Sequence, residues 1–202
     1  MIEVERKFRL TPKVEEKIIE EAKFVEVRKI HDIYWDTSSW KLTLECFWLR
    51  FRDGRFELKV PMHEDGLKLG EHFSELEDDS SIAKELGLPT DITLKVALET
   101  HGYSPFIEIF TTRTAYSLGE FTFDFDEGRN EHGDEYALLE IERMVEKESE
   151  MKGAIDDIEK IANTFGVPDE HIYGKIGHFL KLRSPEHFAA LIASGAIREV
   201  RS

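Results

Sequence analysis

The chain has 202 residues, 41% hydrophobic and 34% charged, which fits one globular domain with a sizeable core and excludes a disordered chain. Acids outnumber bases 42 to 27, and the resulting formal charge of −15 argues against non-specific binding to nucleic acid or to an anionic membrane surface. Cys46 is the single cysteine, so no internal disulfide forms; with no membrane-length apolar run and no signal-peptide pattern, a cytoplasmic setting is expected.

The first eight residues read as a strand. Glu3, Glu5 and Lys7 fall on one side of it, Val4, Arg6 and Phe8 on the other. Thr11-Pro12 then supplies an N-cap and a first helical residue, and Val14, Ile18, Ile19 and Ala22 form the apolar stripe of a helix. Residues 23–35 are β-like and close at Asp36-Thr37-Ser38-Ser39. Residues 47–51 and 55–60 form a predicted hairpin about Asp53-Gly54. A polar loop is expected over 61–70 and a strand over 72–76.

Two short helices are predicted at 80–86 and 91–99, separated by Gly87 and Pro89. Three β-like runs follow at 106–116, 120–126 and 135–143, with a charged loop at 127–134 between the last two. Helical patterns close the chain at 148–165, with Gly166 past its end, at 174–182, and after an N-cap at Ser184 with Pro185. About eight strands with several flanking helices give an α+β domain on an antiparallel sheet.

Charged residues recur at i, i+2 on the predicted strands: Glu3/Glu5 with Lys7, Arg50/Arg52, Glu57/Lys59, Asp124/Asp126 and Glu140/Glu142. The residue between is apolar each time: Val4, Phe51, Leu58, Phe125 and Ile141. Any one pair alone fits a solvated strand face. All five together fit a barrel closed on itself, with charged faces inward and apolar faces under helices. Lys7, Arg50, Arg52, Lys59 and Arg113 then supply fixed cations. Glu3, Glu5, Asp124, Asp126, Glu140 and Glu142 supply hard oxygen donors suited to Mg²⁺ or Mn²⁺. Bases beside carboxylates are what a polyphosphate–metal complex requires. A P-loop, a His-Glu-x-x-His motif and a zinc-thiolate set are all missing from the sequence, and 124–135 departs from a calcium loop because Arg129 stands where Gly is needed.

Glu3-Val4-Glu5-Arg6-Lys7 resembles the E-x-E-x-K signature of the CYTH, or triphosphate tunnel metalloenzyme, superfamily. The resemblance extends through Tyr34-Trp35-Asp36-Thr37, Trp48-Leu49-Arg50-Phe51-Arg52, Glu57-Leu58-Lys59, Ser74-Glu75-Leu76, Thr112-Arg113-Thr114, Phe123-Asp124-Phe125-Asp126 and Glu140-Ile141-Glu142, with Lys175 opening a late helix. It is nearest to the animal thiamine-triphosphatase branch. It implies an eight-stranded antiparallel tunnel, a single domain over 1–202, and metal-dependent hydrolysis of a triphosphate. By the same resemblance Lys7, Arg50, Arg52, Lys59, Arg113 and Lys175 grip phosphate. Glu3, Glu5, Glu75, Asp124, Asp126, Glu140 and Glu142 hold metal directly or through water. Lys59 and Tyr34 form the dyad that activates water, Lys59 as a base whose pKa is lowered by neighbouring cations. The resemblance also implies that Trp48 stacks a thiazolium ring, in a tunnel with little apolar company for it, the alternative being an aromatic of the barrel wall. Residues 62–72 and 127–134 show no family pattern and flank the expected tunnel mouth. A small-molecule substrate, a monomer, and no nucleic-acid or membrane partner are expected. Two other readings stay open: an inorganic triphosphatase with the same tunnel, and a non-catalytic polyphosphate-binding module.

Overall fold

The computed structural model describes residues 2–64, 67–168, 170 and 172–200, and of 62–64 and 67–72 only the course of the chain. Its strands are β1 (Ile2–Phe8), β2 (Lys23–Thr37), β3 (Trp48–Arg52), β4 (Arg55–Glu64), β5 (Leu67–Leu76), β6 (Tyr103–Leu118), β7 (Phe121–Asn130) and β8 (Glu135–Val145). They close into one antiparallel barrel in the order β1-β5-β4-β3-β2-β6-β7-β8, with β8 returning to β1. The helices are α1 (Pro12–Glu21), α2 (Asp79–Glu85), α3 (Leu94–Thr100), α4 (Met151–Phe165), α5 (Lys175–Arg183) and α6 (Pro185–Ser194). No helix among the described residues is long and apolar enough to cross a membrane.

Alternation decides which face is wet. Val4 and Phe8 of β1 join Phe123, Phe125, Leu139 and Ile141 of β7 and β8 beneath Val14 and Ile18 of α1 and Ile158 and Phe165 of α4. On the opposite flank Leu49, Phe56 and Leu58 pack beneath Ile82 of α2 and Leu94 and Leu98 of α3. Each such side chain contributes roughly 1.5–3 kcal/mol on burial. A one-residue slip of β1 would turn Val4 and Phe8 into the charged interior, so register and interior charge are set together. At one end the inward faces turn apolar, where Ile107, Ile109, Tyr136 and Leu138 enclose Phe179 of α5.

The sequence signals hold at the ends of elements. The Thr11 hydroxyl accepts from the Val14 N–H at 3.4 Å. Asp53 and Gly54 take φ of 49° and 89°, the left-handed pair that a two-residue hairpin turn demands. Of the boundaries that differ, three have a plain physical reason. The third helical segment begins at Leu94 rather than 91, because Thr93 is extended and acts as its N-cap. The polar stretch 61–70 is mostly strand: β4 runs to Glu64 and β5 starts at Leu67, paired His63 to Lys68 and Glu64 to Leu67. Asp65 and Gly66, and the side chains of 62–72, lie outside the described residues, and with them any influence on substrate preference.

The third difference is at 127–134, where β7 continues to Asn130. Gly128 permits this, since a Cβ there would lie 2.4 Å from the Phe110 carbonyl oxygen and 2.6 Å from the Tyr136 ring. Asn130 then makes the turn, its Oδ1 accepting from the N–H groups of His132 at 3.0 Å and Asp134 at 2.9 Å.

Candidate active site

Strand register builds the site. β1 against β8 sets Glu5 opposite Glu142 and Lys7 opposite Glu140; β7 against β8 sets Asp124 opposite Glu140. Like charges directly opposed on one face of a sheet repel, and here they are also buried: Glu5 and Glu140 are each 7% exposed and Asp124 4%. Carboxylate oxygens of Glu3, Glu5 and Glu142 lie within 4.8 Å of one another, and so do those of Asp124, Glu140 and Glu142.

Protonation follows from that crowding. Burial, then the charges of Glu3, Asp124 and Glu140, push Glu142 up to about 9. Burial raises Asp124 to about 6 in spite of Arg113. Burial also raises Glu3, against the pull of Lys59. Burial acts the same way on Glu5, but Lys7 and Lys59 outweigh it and hold Glu5 below the ordinary carboxylate range. Asp124 Oδ1 is buried with no hydrogen-bond partner among the described residues. A hard oxygen donor set with an orphaned buried carboxylate oxygen fits a divalent cation.

The bases are distributed around these acids. Arg113 reaches Asp124 at 2.5 Å, forks onto Asp126 at 2.6 and 2.8 Å, and also donates to Glu140. Arg50 donates to Glu57 at 2.8 Å and Glu75 at 2.7 Å. Arg52 forks onto Asp32 at 2.6 and 2.8 Å, and Lys175, from the start of α5, joins the same carboxylate at 2.8 Å. Lys7 donates to Glu5 and lies 3.6 Å from Glu140. Lys59 lies 3.3 Å from Glu3 and 3.8 Å from Glu5. The bases line one cavity of about 720 Å³, while Asp32, Glu57 and Asp126 stand behind its wall.

The structure therefore brings Lys7, Arg50, Arg52, Lys59, Arg113 and Lys175 to a common cavity with Glu3, Glu5, Glu75, Asp124, Glu140 and Glu142. Asp126 and Glu75 stand apart from the two acidic clusters, Asp126 engaged by Arg113 and Glu75 by Arg50. Tyr34, on β2, pairs in register with Arg50, while Lys59, on β4, pairs with Trp48. The surroundings of Lys59 differ from the expectation of a lysine crowded by cations. Burial works to lower its pKa, but Glu5 and Glu3 beside it prevail and hold the ammonium above its usual range. Trp48 differs too. It packs with Phe106 and Ile176 against both the Phe179 cluster and the cluster of Cys46, Leu180, Leu191 and Ala196. The C-terminal helices give the tunnel one apolar wall.

Two acids escaped the sequence reading as site residues. Asp32, fully buried, anchors Arg52 and Lys175; its one signal was that Asp32-Ile33-Tyr34 continues the i, i+2 alternation. Glu57 was read only as a strand-face charge, and it orients Arg50. Outside the tunnel, Asp36 accepts from the Leu42 and Thr43 N–H groups, both at 2.9 Å, and from the Thr43 hydroxyl at 2.8 Å. The Thr43 oxygen in turn lies 2.7 Å from His187 Nε2 on α6. His187 also stacks on Trp40 with ring centroids 4.6 Å apart, fixing α6 to the loop after β2.

Comparison with known proteins gives a consistent picture. The family profile described as CYTH domain matches residues 1–172. Thiamine-triphosphatase of Macaca fascicularis is 30% identical over 209 residues, covering 95% of this chain and 90% of that protein. Thiamine-triphosphatase of Homo sapiens is 29% identical over 216 residues, covering 98% and 93%. Among solved structures, a protein from Pyrococcus horikoshii OT3 superposes with a TM-score of 0.66 at 22% identity, over 90% of this chain and 99% of that one.

Proposed function

The chain belongs to the CYTH domain family, and on that premise we propose that it is a triphosphatase that hydrolyses thiamine triphosphate to thiamine diphosphate and phosphate with the help of a divalent metal. The observation that carries the reading is the pair of cross-strand acid contacts, Glu5 with Glu142 and Asp124 with Glu140, set among bases in a single cavity. A binding module for polyanions alone would gain nothing from acids that repel its ligand.

Glu3, Glu5, Asp124, Glu140 and Glu142 are the residues that would hold the metal, with Mg²⁺ the natural hard cation and Mn²⁺ a substitute. Once bound, such an ion neutralises phosphate charge and polarises a phosphoryl oxygen. The protein's own part is to bind and orient. Arg50, Arg52, Arg113, Lys7, Lys59 and Lys175 exchange carboxylate partners for phosphate oxygens, each charge-assisted contact contributing roughly 1.5–3 kcal/mol. Asp32, Glu57, Asp126 and Glu75 hold the guanidinium and ammonium groups in position for that exchange. Lys59 and Tyr34 orient the attacking water; once the charges of Glu3 and Glu5 are neutralised, the Lys59 ammonium releases its own proton to solvent and, as the neutral amine, accepts the proton of the water.

Trp48 offers its ring to the thiazolium at the apolar wall. The protein acts as a cytoplasmic monomer on a small molecule. Its packing in two apolar clusters also gives Trp48 a structural purpose, and this favours a second reading, an inorganic triphosphatase. Comparing kcat/KM for thiamine triphosphate, inorganic triphosphate and ATP with Mg²⁺ separates the two. Preference for thiamine triphosphate supports the assignment, and a wide margin for inorganic triphosphate overturns it.

A further inference from the structure

Among the described residues, each basic side chain lining the tunnel has a carboxylate partner, with one exception, Arg198. Even Arg28, at the exposed rim, lies 3.9 Å from Glu26. Arg198 belongs to the segment after α6, beyond the residues matched by the CYTH profile. It is solvent-exposed, so its free charge costs little in the ligand-free protein.

The segment that presents it is held on both sides. The Ile197 N–H donates to the Leu191 carbonyl at 3.2 Å, and the Val200 N–H donates to the Tyr173 hydroxyl at 2.9 Å. Gly177 of α5 leaves the space that Ile197 fills, since a Cβ there would lie 3.2 Å from Ile197 Cδ1. Ile197 and Trp48 pack against the same cluster, so Arg198 stands at the apolar end of the tunnel rather than among the acids.

A trianion approaching this cavity meets bases whose charge is already offset by carboxylates, in a protein of charge −15. Among the described residues lining the cavity, Arg198 alone offers an uncompensated positive charge, at the end where the organic group of a substrate would lie. We infer that Arg198 is a further substrate-binding residue, which takes the phosphate nearest the substrate's organic group. The inference rests on the triphosphate reading above, though not on the identity of the organic group.

The test compares wild type, Arg198→Ala and Arg198→Lys by calorimetric titration with inorganic triphosphate in Mg²⁺, and by steady-state kinetics with thiamine triphosphate. Loss of one charge-assisted contact should weaken triphosphate binding about tenfold in Arg198→Ala, with most of it restored in Arg198→Lys. KM should rise in parallel while kcat stays within about twofold, and the difference should shrink at high salt. Equal affinity in all three proteins at low salt overturns the inference, as does a loss of kcat at unchanged affinity. A wild type that binds triphosphate without turning over thiamine triphosphate overturns the substrate assignment alone, and the affinities still decide Arg198. A wild type that binds no triphosphate overturns both.

Discussion

Asp32 and Lys175 meet at 2.8 Å across 143 residues of sequence, and the same carboxylate holds Arg52 by both oxygens. One buried acid thus ties β2, β3 and the start of α5 into one wall of the cavity. Asp32→Asn should leave Lys175 without its counter-charge and Arg52 with only Glu57, at 3.9 Å, and destabilise the ligand-free protein by on the order of 3 kcal/mol in urea unfolding. Inorganic triphosphate should restore part of that loss, because phosphate then supplies the missing negative charge. Equal destabilisation with and without triphosphate would show that neither base binds it.

Glu142 behaves as a protonated acid in the metal-free protein, at about 9 through burial and the acids around it. The folded state therefore binds a proton that the unfolded state gives up near the ordinary 4.5. Its contribution to stability is complete below 4.5 and is lost as pH rises towards 9. Glu142→Gln should flatten that decline in chelator-treated protein, as thermal melts across this range will show. In the same variant the Mg²⁺ concentration needed for activity should rise, with little change in metal-free affinity for triphosphate. Arg52→Ala should do the reverse, raising KM with the metal requirement nearly unchanged.

His187 titrates in the opposite sense. Burial lowers it from 6.5 to about 4, against the pull of Asp36. The unfolded chain binds the extra proton between those values, so this group's stabilising contribution is present above 6.5 and is lost as pH falls towards 4. The loss should be on the order of 2 kcal/mol. Hydrogen exchange should show α6 and the loop after β2 losing protection together over that range, and His187→Gln should abolish the pH dependence of the effect.

Trp48 separates the two substrate readings. Cation–π contact with a thiazolium contributes roughly 0.5–2 kcal/mol, so Trp48→Leu should cost about that in kcat/KM for thiamine triphosphate. Leucine keeps the packing against Phe106 and Ile176 while removing the π face. The cost for inorganic triphosphate should be much smaller. Equal losses for both substrates would assign Trp48 to the wall.

Much of this was legible in the residues because inward and outward faces alternate with period 2. Glu3, Glu5 and Lys7 declared the interior of β1, and Asp53-Gly54 declared a hairpin whose backbone angles match. What stayed hidden depended on register between distant segments. Asp32 carries no charged residue at i+2, and its partner Lys175 lies far along the chain. Lys59 read as one cation among several, because nothing local to it shows that Glu3 and Glu5 will be its neighbours. Residues 61–70 looked like a loop because they are polar and glycine-containing, but pairing of β4 with β5 overrides local preference there.

Closure of the barrel by β1 against β8 has a kinetic consequence. The first strand of the chain finds its long partner only after the last strand exists, from Ile2 with Val145 to Phe8 with Leu139. That pairing demands the largest loop closure in the barrel, so it belongs late in folding, where contacts of high sequence separation are slowest. The cluster of Glu3, Glu5 and Glu142 straddles this junction and does not exist before it forms, whereas pairing of β7 with β8 alone brings Asp124, Glu140 and Glu142 together. The zipping of β1 onto β8 must bring Glu5 up against Glu142 in the final step. Catalytic competence and completion of the fold are therefore one event, and an ion that relieves the repulsion between those acids acts on the rate of barrel closure as well as on the finished site.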